Sequence, residues 1–164
     1  MESQSLKGSI QTTIENKIAT IEFEHPASNS LTQELLHKVA SELTILSTNP
    51  AISVVILKSS GTGVFCAGAS FDELLAVSNL DQATKFFSGF AHLLNAMRTC
   101  SKVIIGRVHG KAVGGGLGII AACDYVFATM DSSIKLSELS IGIGPFVIEP
   151  ALSRKMGKAA TAAL

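Results

Sequence analysis

Two glycine-containing segments carry residue types that could bind an anion through the main chain. They are VFCAGASF at residues 64–71 and GKAVGGGLGIIAACD at residues 110–124, and each is predicted to lead into a helix. Glycine-rich turns let backbone N–H groups converge without side chains in the way, and a helix N-terminus adds positive potential. Neither turn is predicted to bring a nucleophile, a metal cluster or a phosphate-binding lysine, so we expect an oxyanion, such as an enolate or a tetrahedral intermediate, rather than a phosphate. GGGLG also lacks the GxGxxG order of a dinucleotide loop.

Glu138 is the main candidate for proton transfer. It lies in KLSELSIGIGP, an otherwise mostly apolar segment. A carboxylate is costly to bury unless it has a partner or a role, so its place among apolar residues favours a function in general acid-base catalysis. The alternative is an ordinary surface glutamate in a turn.

These residues must be positioned by an alternation of strands and helices. Residues 10–24 alternate polar and apolar side chains around Glu15-Asn16-Lys17, which predicts a β-hairpin. Apolar periodicity then predicts strands at 52–57, 103–108 and 125–128, and helices at 31–46, 71–77, 81–98, 116–122 and 148–164. Residues 134–139 are predicted as a short strand or a strand-to-helix junction. Strands alternating with helices indicate an α/β fold with right-handed crossovers.

Composition disfavours several classes of function. Thirteen basic and thirteen acidic residues give no net charge, so no field attracts nucleic acid or an anionic membrane surface. The longest apolar stretch, between Lys111 and Asp124, is shorter than the roughly 18 residues of a membrane span, and the N-terminus has no secretory features, so a cytoplasmic protein is expected. Cys66, Cys100 and Cys123 are widely spaced, which predicts reduced thiols, and the scattered histidines predict no metal site.

Three segments in order resemble the enoyl-CoA hydratase/isomerase family, also called the crotonase superfamily. They are FCAGAS followed by FDELL, then HGKAVGGGLGIIAACDYVFA, then KLSELSIGIGP, and the resemblance extends from about Lys17 to the C-terminus. It implies an α/β fold built as a crotonase-like spiral of repeated β-β-α units, followed in the family by a C-terminal helical region that mediates trimer formation. The chain ends before that region, so we expect residues 1–164 to form a single crotonase-like core domain that is C-terminally truncated.

The resemblance also implies which residues contact the substrate. The backbone amides of Ala69 and Gly115 would form an oxyanion hole for the thioester oxygen of an acyl-CoA, and Glu138 would move a proton at the α or γ carbon. Coenzyme A is then part of the substrate, and no separate cofactor is expected. HPASNSL resembles the segment that wraps the CoA nucleotide, although an ordinary loop with Asn29 or Ser30 as a helix N-cap is the alternative. The implied substrate- and CoA-binding residues are Ser28, Ala67 and Gly114.

One position departs from the family pattern. Family hydratases with two glutamates place the first within GGGxE, whereas this chain has GGGLG, with Gly118 at the position of the missing glutamate. We expect an enzyme that stabilises a thioester enolate. The preferred assignment is an enoyl-CoA hydratase, which converts 2-enoyl-CoA to 3-hydroxyacyl-CoA. The alternative is a Δ3,Δ2-enoyl-CoA isomerase that uses a single glutamate.

A second alternative is a non-catalytic family member that binds CoA or RNA. Some family members bind RNA through a lysine-studded helix, which corresponds here to residues 32–48, where Lys38 is the only lysine or arginine. The expected partner is therefore an acyl-CoA thioester rather than nucleic acid or a membrane. The resemblance further implies a homotrimer or a dimer of trimers.

Overall fold

The computed structural model describes residues 8–164. Its strands are β1 (Ser9–Glu15), β2 (Ile18–Glu24), β3 (Val54–Ser59), β4 (Val103–Val108), β5 (Lys111–Val113), β6 (Tyr125–Ala128) and β7 (Ser133–Lys135). Its α-helices are α1 (Gln33–Thr48), α2 (Phe71–Leu75), α3 (Leu80–Thr99), α4 (Gly115–Ala122), α5 (Glu149–Met156) and α6 (Lys158–Ala162), with a 3-10 helix at Glu138–Ile141. No helix within residues 8–164 is both long and apolar enough to cross a membrane.

The first two strands form the predicted hairpin. β1 and β2 are antiparallel, and Glu15 pairs with Ile18 at the turn. Asn16 and Lys17 have φ angles of 50° and 67°, so both central residues are left-handed, as a two-residue hairpin turn of type I′ requires.

A five-stranded sheet forms the frame of the fold, with strand order β1-β2-β3-β4-β6. All pairs after the hairpin are parallel. α1 and α3 pack against each other, and the buried side chains of α1 recur at helical spacing along one face: Leu35, Leu36, Val39, Leu43 and Leu46. This packing buries the sheet residues Val55, Leu57 and Ile104 under the helices, which supplies the hydrophobic core.

A second, smaller layer of strand pairing confirms the spiral of β-β-α units. β5 and β7 pair in parallel, and isolated parallel bridges join Leu31 to Ala69 and Cys66 to Ala112. Each coil of the chain thus places one strand in the large sheet and an extended segment in the small layer before a helix follows. The sequence analysis did not predict β5, because its three residues lie inside the second glycine segment.

One local prediction and one alternative were wrong. Residues 148–164 do not form one helix, since Gly157 has φ 82° and separates α5 from α6. The N-cap of α1 is Thr32, whose hydroxyl accepts a hydrogen bond from the Leu35 amide at 3.2 Å, and not Asn29 or Ser30.

Candidate active site

The first glycine segment forms a turn with one unused amide. Gly68 has φ 91°, and a Cβ atom there would lie 2.9 Å from the Val113 carbonyl oxygen, so only glycine fits. Leu31 donates to the Gly68 carbonyl at 2.8 Å, and Ser70 donates to the Leu31 carbonyl at 3.0 Å. Between these two bonds, the Ala69 N–H has no hydrogen-bond acceptor among residues 8–164.

The second glycine segment brings another unused amide to the same place. Gly115 is the first residue of α4, where a backbone N–H has no partner within its own helix. The Gly115 nitrogen lies 3.4 Å from the point that a Cβ atom of Gly68 would occupy, so the two turns are in contact. The Phe90 ring packs directly on Gly115 and leaves no room for a side chain. Two N–H donors, one from each turn, are therefore available to an oxygen anion.

Glu138 lies beside this pair of turns. It begins the 3-10 helix, is partly buried, and its Oε2 accepts a hydrogen bond from the Ser137 amide at 3.0 Å. Its Oε1 lies 3.1 Å from the point that a Cβ atom of Gly114 would occupy, and Gly114 has φ 52°. Gly114 also donates to the Lys135 carbonyl at 2.9 Å, which ties the second turn to the end of β7. The carboxylate thus lies next to the turn that carries one of the two free amides.

The three groups line one cavity of about 180 Å³. Most of the side chains around it are hydrocarbon, and they come from α2, α3 and the segment between Ile141 and Ile148. The aromatic part of the wall consists of Phe71, Phe86, Phe87 and Phe90. The sequence analysis did not assign the α3 phenylalanines to a cavity wall, although their spacing on one helix face was visible.

Of the three residues predicted to bind CoA, two line the cavity and Ser28 is hydrogen-bonded to one of them. The Ala67 amide donates to the Ser28 carbonyl at 3.1 Å, and Ala67 and Gly114 line the cavity. Asn29, which the sequence analysis considered only as a helix N-cap, holds this loop: its Nδ2 donates to the carbonyls of Ser60 at 3.0 Å and Val64 at 2.9 Å. Asn29, at φ 54°, thus ties two loops together, and sequence alone gave no sign of these hydrogen bonds.

Gly118 faces a side chain and not open space. A Cβ atom at this position would lie 2.5 Å from Cγ2 of Ile148, which is buried and lines the cavity. The place where the family pattern has a second glutamate is therefore filled by hydrocarbon from the start of α5. The contact between Gly118 and Ile148 is a second feature that the sequence analysis missed, because the two residues are far apart in the chain.

The remaining candidate groups lie outside the cavity. His109 packs edge-on against Phe65, with ring centroids 6.3 Å apart, and its Nε2 has no partner among the described residues.

Burial raises the pKa of the Cys66 and Cys123 thiols to about 12. A smaller effect lowers the pKa of each thiol: a hydrogen bond from the Gly68 amide at Cys66, and the positive charge of Lys155 at Cys123. Neither thiol is a nucleophile near neutral pH. No group of three or more potential metal ligands occurs within residues 8–164.

Comparisons with known proteins place the chain among relatives of one family. A Bacillus subtilis (strain 168) protein named "Probable enoyl-CoA hydratase" is 28% identical over 151 residues, which cover 92% of this chain and 58% of that protein. The mitochondrial 3-hydroxyisobutyryl-CoA hydrolase of Bos taurus is 30% identical over 135 residues, 79% of this chain and 35% of that protein. The crystal structure of enoyl-CoA hydratase from Mycobacterium smegmatis superposes with a TM-score of 0.88 at 26% identity, over 94% of this chain and 60% of that one.

The chain spans 58% of the length of the Bacillus relative and a smaller part of the bovine one. The sequence profile of the family described as Enoyl-CoA hydratase/isomerase matches residues 13–164. With the spiral fold and the two convergent turns, this match shows that the chain belongs to the enoyl-CoA hydratase/isomerase family.

Proposed function

We propose that this chain carries the catalytic core of an acyl-CoA enzyme that stabilises a thioester enolate. The observation that supports this most is the convergence of Glu138 with the free amides of Ala69 and Gly115 at one apolar cavity. The amides would bind the thioester oxygen, and Glu138 would take a proton from, or return it to, the carbon chain. Loss of one such preorganised donor typically costs about 3 kcal/mol of transition-state stabilisation.

Hydration of 2-enoyl-CoA to 3-hydroxyacyl-CoA is the first specific reaction that we propose. The name of the Bacillus relative and that of the family support it. Glu138 would then take a proton from the water that adds at C3 and return a proton to C2. No second carboxylate lines the cavity among residues 8–164, so one group would have to do both tasks.

Isomerisation of 3-enoyl-CoA to 2-enoyl-CoA is the second candidate, and the contact between Gly118 and Ile148 favours it. Glu138 would remove a proton from C2 and return it to C4 through the same enolate, which requires one base and no water. The space that a water-binding carboxylate at position 118 would use is occupied by the Ile148 side chain.

A non-catalytic RNA-binding role has less support. Lys38, the only lysine or arginine of α1, forms an ion pair with Glu34 at 2.7 Å, so its charge is balanced on the helix surface. We keep coenzyme A as the nucleotide partner, bound near Ser28 and Ala67 as part of the substrate. A trimeric assembly and a cytoplasmic location remain proposals from the family resemblance.

A substrate screen of the full-length protein tests the proposal. The purified protein is incubated separately with a 2-enoyl-CoA, a 3-enoyl-CoA and a 3-hydroxyacyl-CoA. The products are separated by liquid chromatography against standards, because the two enoyl-CoA isomers have the same mass, and free thiol is measured. We expect 3-hydroxyacyl-CoA from the first substrate or 2-enoyl-CoA from the second. Release of free CoA alone would indicate a hydrolase, the activity in the name of the bovine relative, and would contradict both proposed reactions.

A further inference from the structure

Ser137 places a hydroxyl group directly before Glu138, at the start of the 3-10 helix. Serine at a helix N-cap usually accepts a hydrogen bond from the first turn through its side chain. Here the Ser137 side chain makes no capping hydrogen bond. The Ser137 carbonyl accepts from the Ser140 amide at 3.1 Å instead, so the hydroxyl group is not used to hold the helix.

The Ser137 hydroxyl group and the Glu138 carboxylate face the same space. Ser137 Oγ lies 3.2 Å from the point that a Cβ atom of Gly114 would occupy, and Oε1 of Glu138 lies 3.1 Å from that point. Because Gly114 has no side chain, the point stays empty, and all three residues line the cavity. These contacts lie between residues 114 and 140, inside the segment that the family profile matches.

The two oxygens of the Glu138 carboxylate have different surroundings. Oε2 accepts a hydrogen bond from the Ser137 amide at 3.0 Å, whereas Oε1 forms no hydrogen bond among residues 8–164. Oε1 is therefore available for proton transfer, and it is the oxygen that shares the space beside Gly114 with Ser137 Oγ. A hydroxyl oxygen accepts hydrogen bonds, so a water molecule there can donate one hydrogen to Oε1 and the other to Oγ.

We propose that Ser137 Oγ and Glu138 Oε1 together bind the water that adds to C3 of a 2-enoyl-CoA. The inference rests on the proposed hydratase function and adds to it a second water-binding group, which lies outside position 118. Ser137 orients the water without accepting its proton, and an oriented nucleophile loses less entropy on reaching the transition state.

The hydration step then balances with Glu138 as the base. Oε1 takes one proton from the water, and the water oxygen bonds to C3. The electrons of the C2–C3 double bond shift toward the thioester, whose oxygen takes the negative charge of the enolate. Glu138 returns that proton to C2. Ser137 stays neutral, and Oγ accepts a hydrogen bond from the hydrogen that remains on the new 3-hydroxyl group.

Two rates measured on the full-length protein separate this role from a structural one. Hydration of 2-butenoyl-CoA requires the bound water, whereas deuterium exchange at C2 of butanoyl-CoA in D2O requires Glu138 and the enolate but no addition of water to carbon. In Ser137→Ala, we expect kcat for hydration to fall about tenfold while KM and the exchange rate stay within about twofold. Ser137→Thr keeps the hydroxyl group and should hydrate within about threefold of the wild type.

Ser140→Ala is the matched control, because Ser140 lies in the same 3-10 helix, is exposed and does not line the cavity. Both of its rates should equal those of the wild type. An unchanged hydration rate in Ser137→Ala, or equal falls in its two rates, would overturn the inference. A wild-type protein that exchanges C2 protons without hydrating would overturn the inference and leave the enolate function standing, and one that does neither would overturn both.

Discussion

Gly114 and Glu138 are in contact, with Oε1 of the carboxylate 3.1 Å from the point that a Cβ atom of Gly114 would occupy. The Glu138 carboxylate thus packs closely against Gly114 in the second turn. Since Gly114 also donates to the Lys135 carbonyl at 2.9 Å, the strand that leads to Glu138 is fixed to the turn that presents the Gly115 amide.

Gly114→Ala should therefore lower turnover by about tenfold or more, because the methyl group would push on the carboxylate and strain a residue at φ 52°. Gly61→Ala is the matched control: Gly61 has φ 81° and nothing lies within 4 Å of its Cβ position. Both variants should lose about 1 kcal/mol of unfolding free energy from backbone strain. Equal turnover in the two variants would show that the fit between Gly114 and Glu138 is unimportant for catalysis.

Gly118→Glu alone should fail to fold stably, since its Cβ atom would collide with Ile148 and a carboxylate would be buried among hydrocarbon. Combining it with Ile148→Ala makes room, and in that double variant the ratio of hydrated to isomerised product should rise. Thermal unfolding identifies the folded variants, and Ile148→Ala alone is the control. An unchanged product ratio in a folded double variant would mean that the missing glutamate does not determine the reaction.

Lys155 connects α5 to the end of α4. Its Nζ donates to the carbonyls of Cys123 at 2.7 Å and Asp124 at 2.8 Å, where the helix dipole is negative. Lys155→Met should lower the free energy of unfolding by about 1 kcal/mol. Lys158→Met is the control, because the Lys158 side chain forms no hydrogen bond or ion pair among residues 8–164. Denaturant unfolding should separate the two variants, and equal midpoints would contradict this role.

The buried thiols predict a pH dependence. Burial raises the pKa of Cys66 and Cys123 from 9.0 to about 12 in the folded protein. The unfolded chain therefore loses these protons first, so stability should fall as pH rises between the two values. Near pH ~9, a disulfide reagent should modify only Cys100 quickly in the native protein and all three thiols after denaturation. Rapid native modification of Cys66 would contradict its burial.

Much of the fold could be predicted from the sequence, because the hairpin and the long helices depend on residue patterns within short segments. The hairpin follows from Asn16 and Lys17, and the long helices follow from apolar spacing. β5 was missed because three residues are too few for periodicity. The break at Gly157 was missed because a single glycine inside a helical pattern does not by itself show a left-handed φ.

The candidate site was predictable where its chemistry depends on the backbone. Glycines at 68 and 114 mark turns, and the structure brings both turns to Glu138. The contact of Ile148 with Gly118 and the bridging bonds of Asn29 depend on tertiary packing between distant segments. Contacts between distant segments leave no periodic pattern in a single sequence, so they could not be predicted from it.

Exchange of the α-protons of an acyl-CoA with D2O tests the central role of Glu138 most directly. In the full-length protein, Glu138→Gln should slow deuterium incorporation at C2 by about 10²-fold or more, because the base is removed with little change in volume. The affinity for the acyl-CoA should stay within about threefold, since the Ala69 and Gly115 amides remain. Wild-type exchange rates in Glu138→Gln would contradict the account, because another group would then be moving the proton.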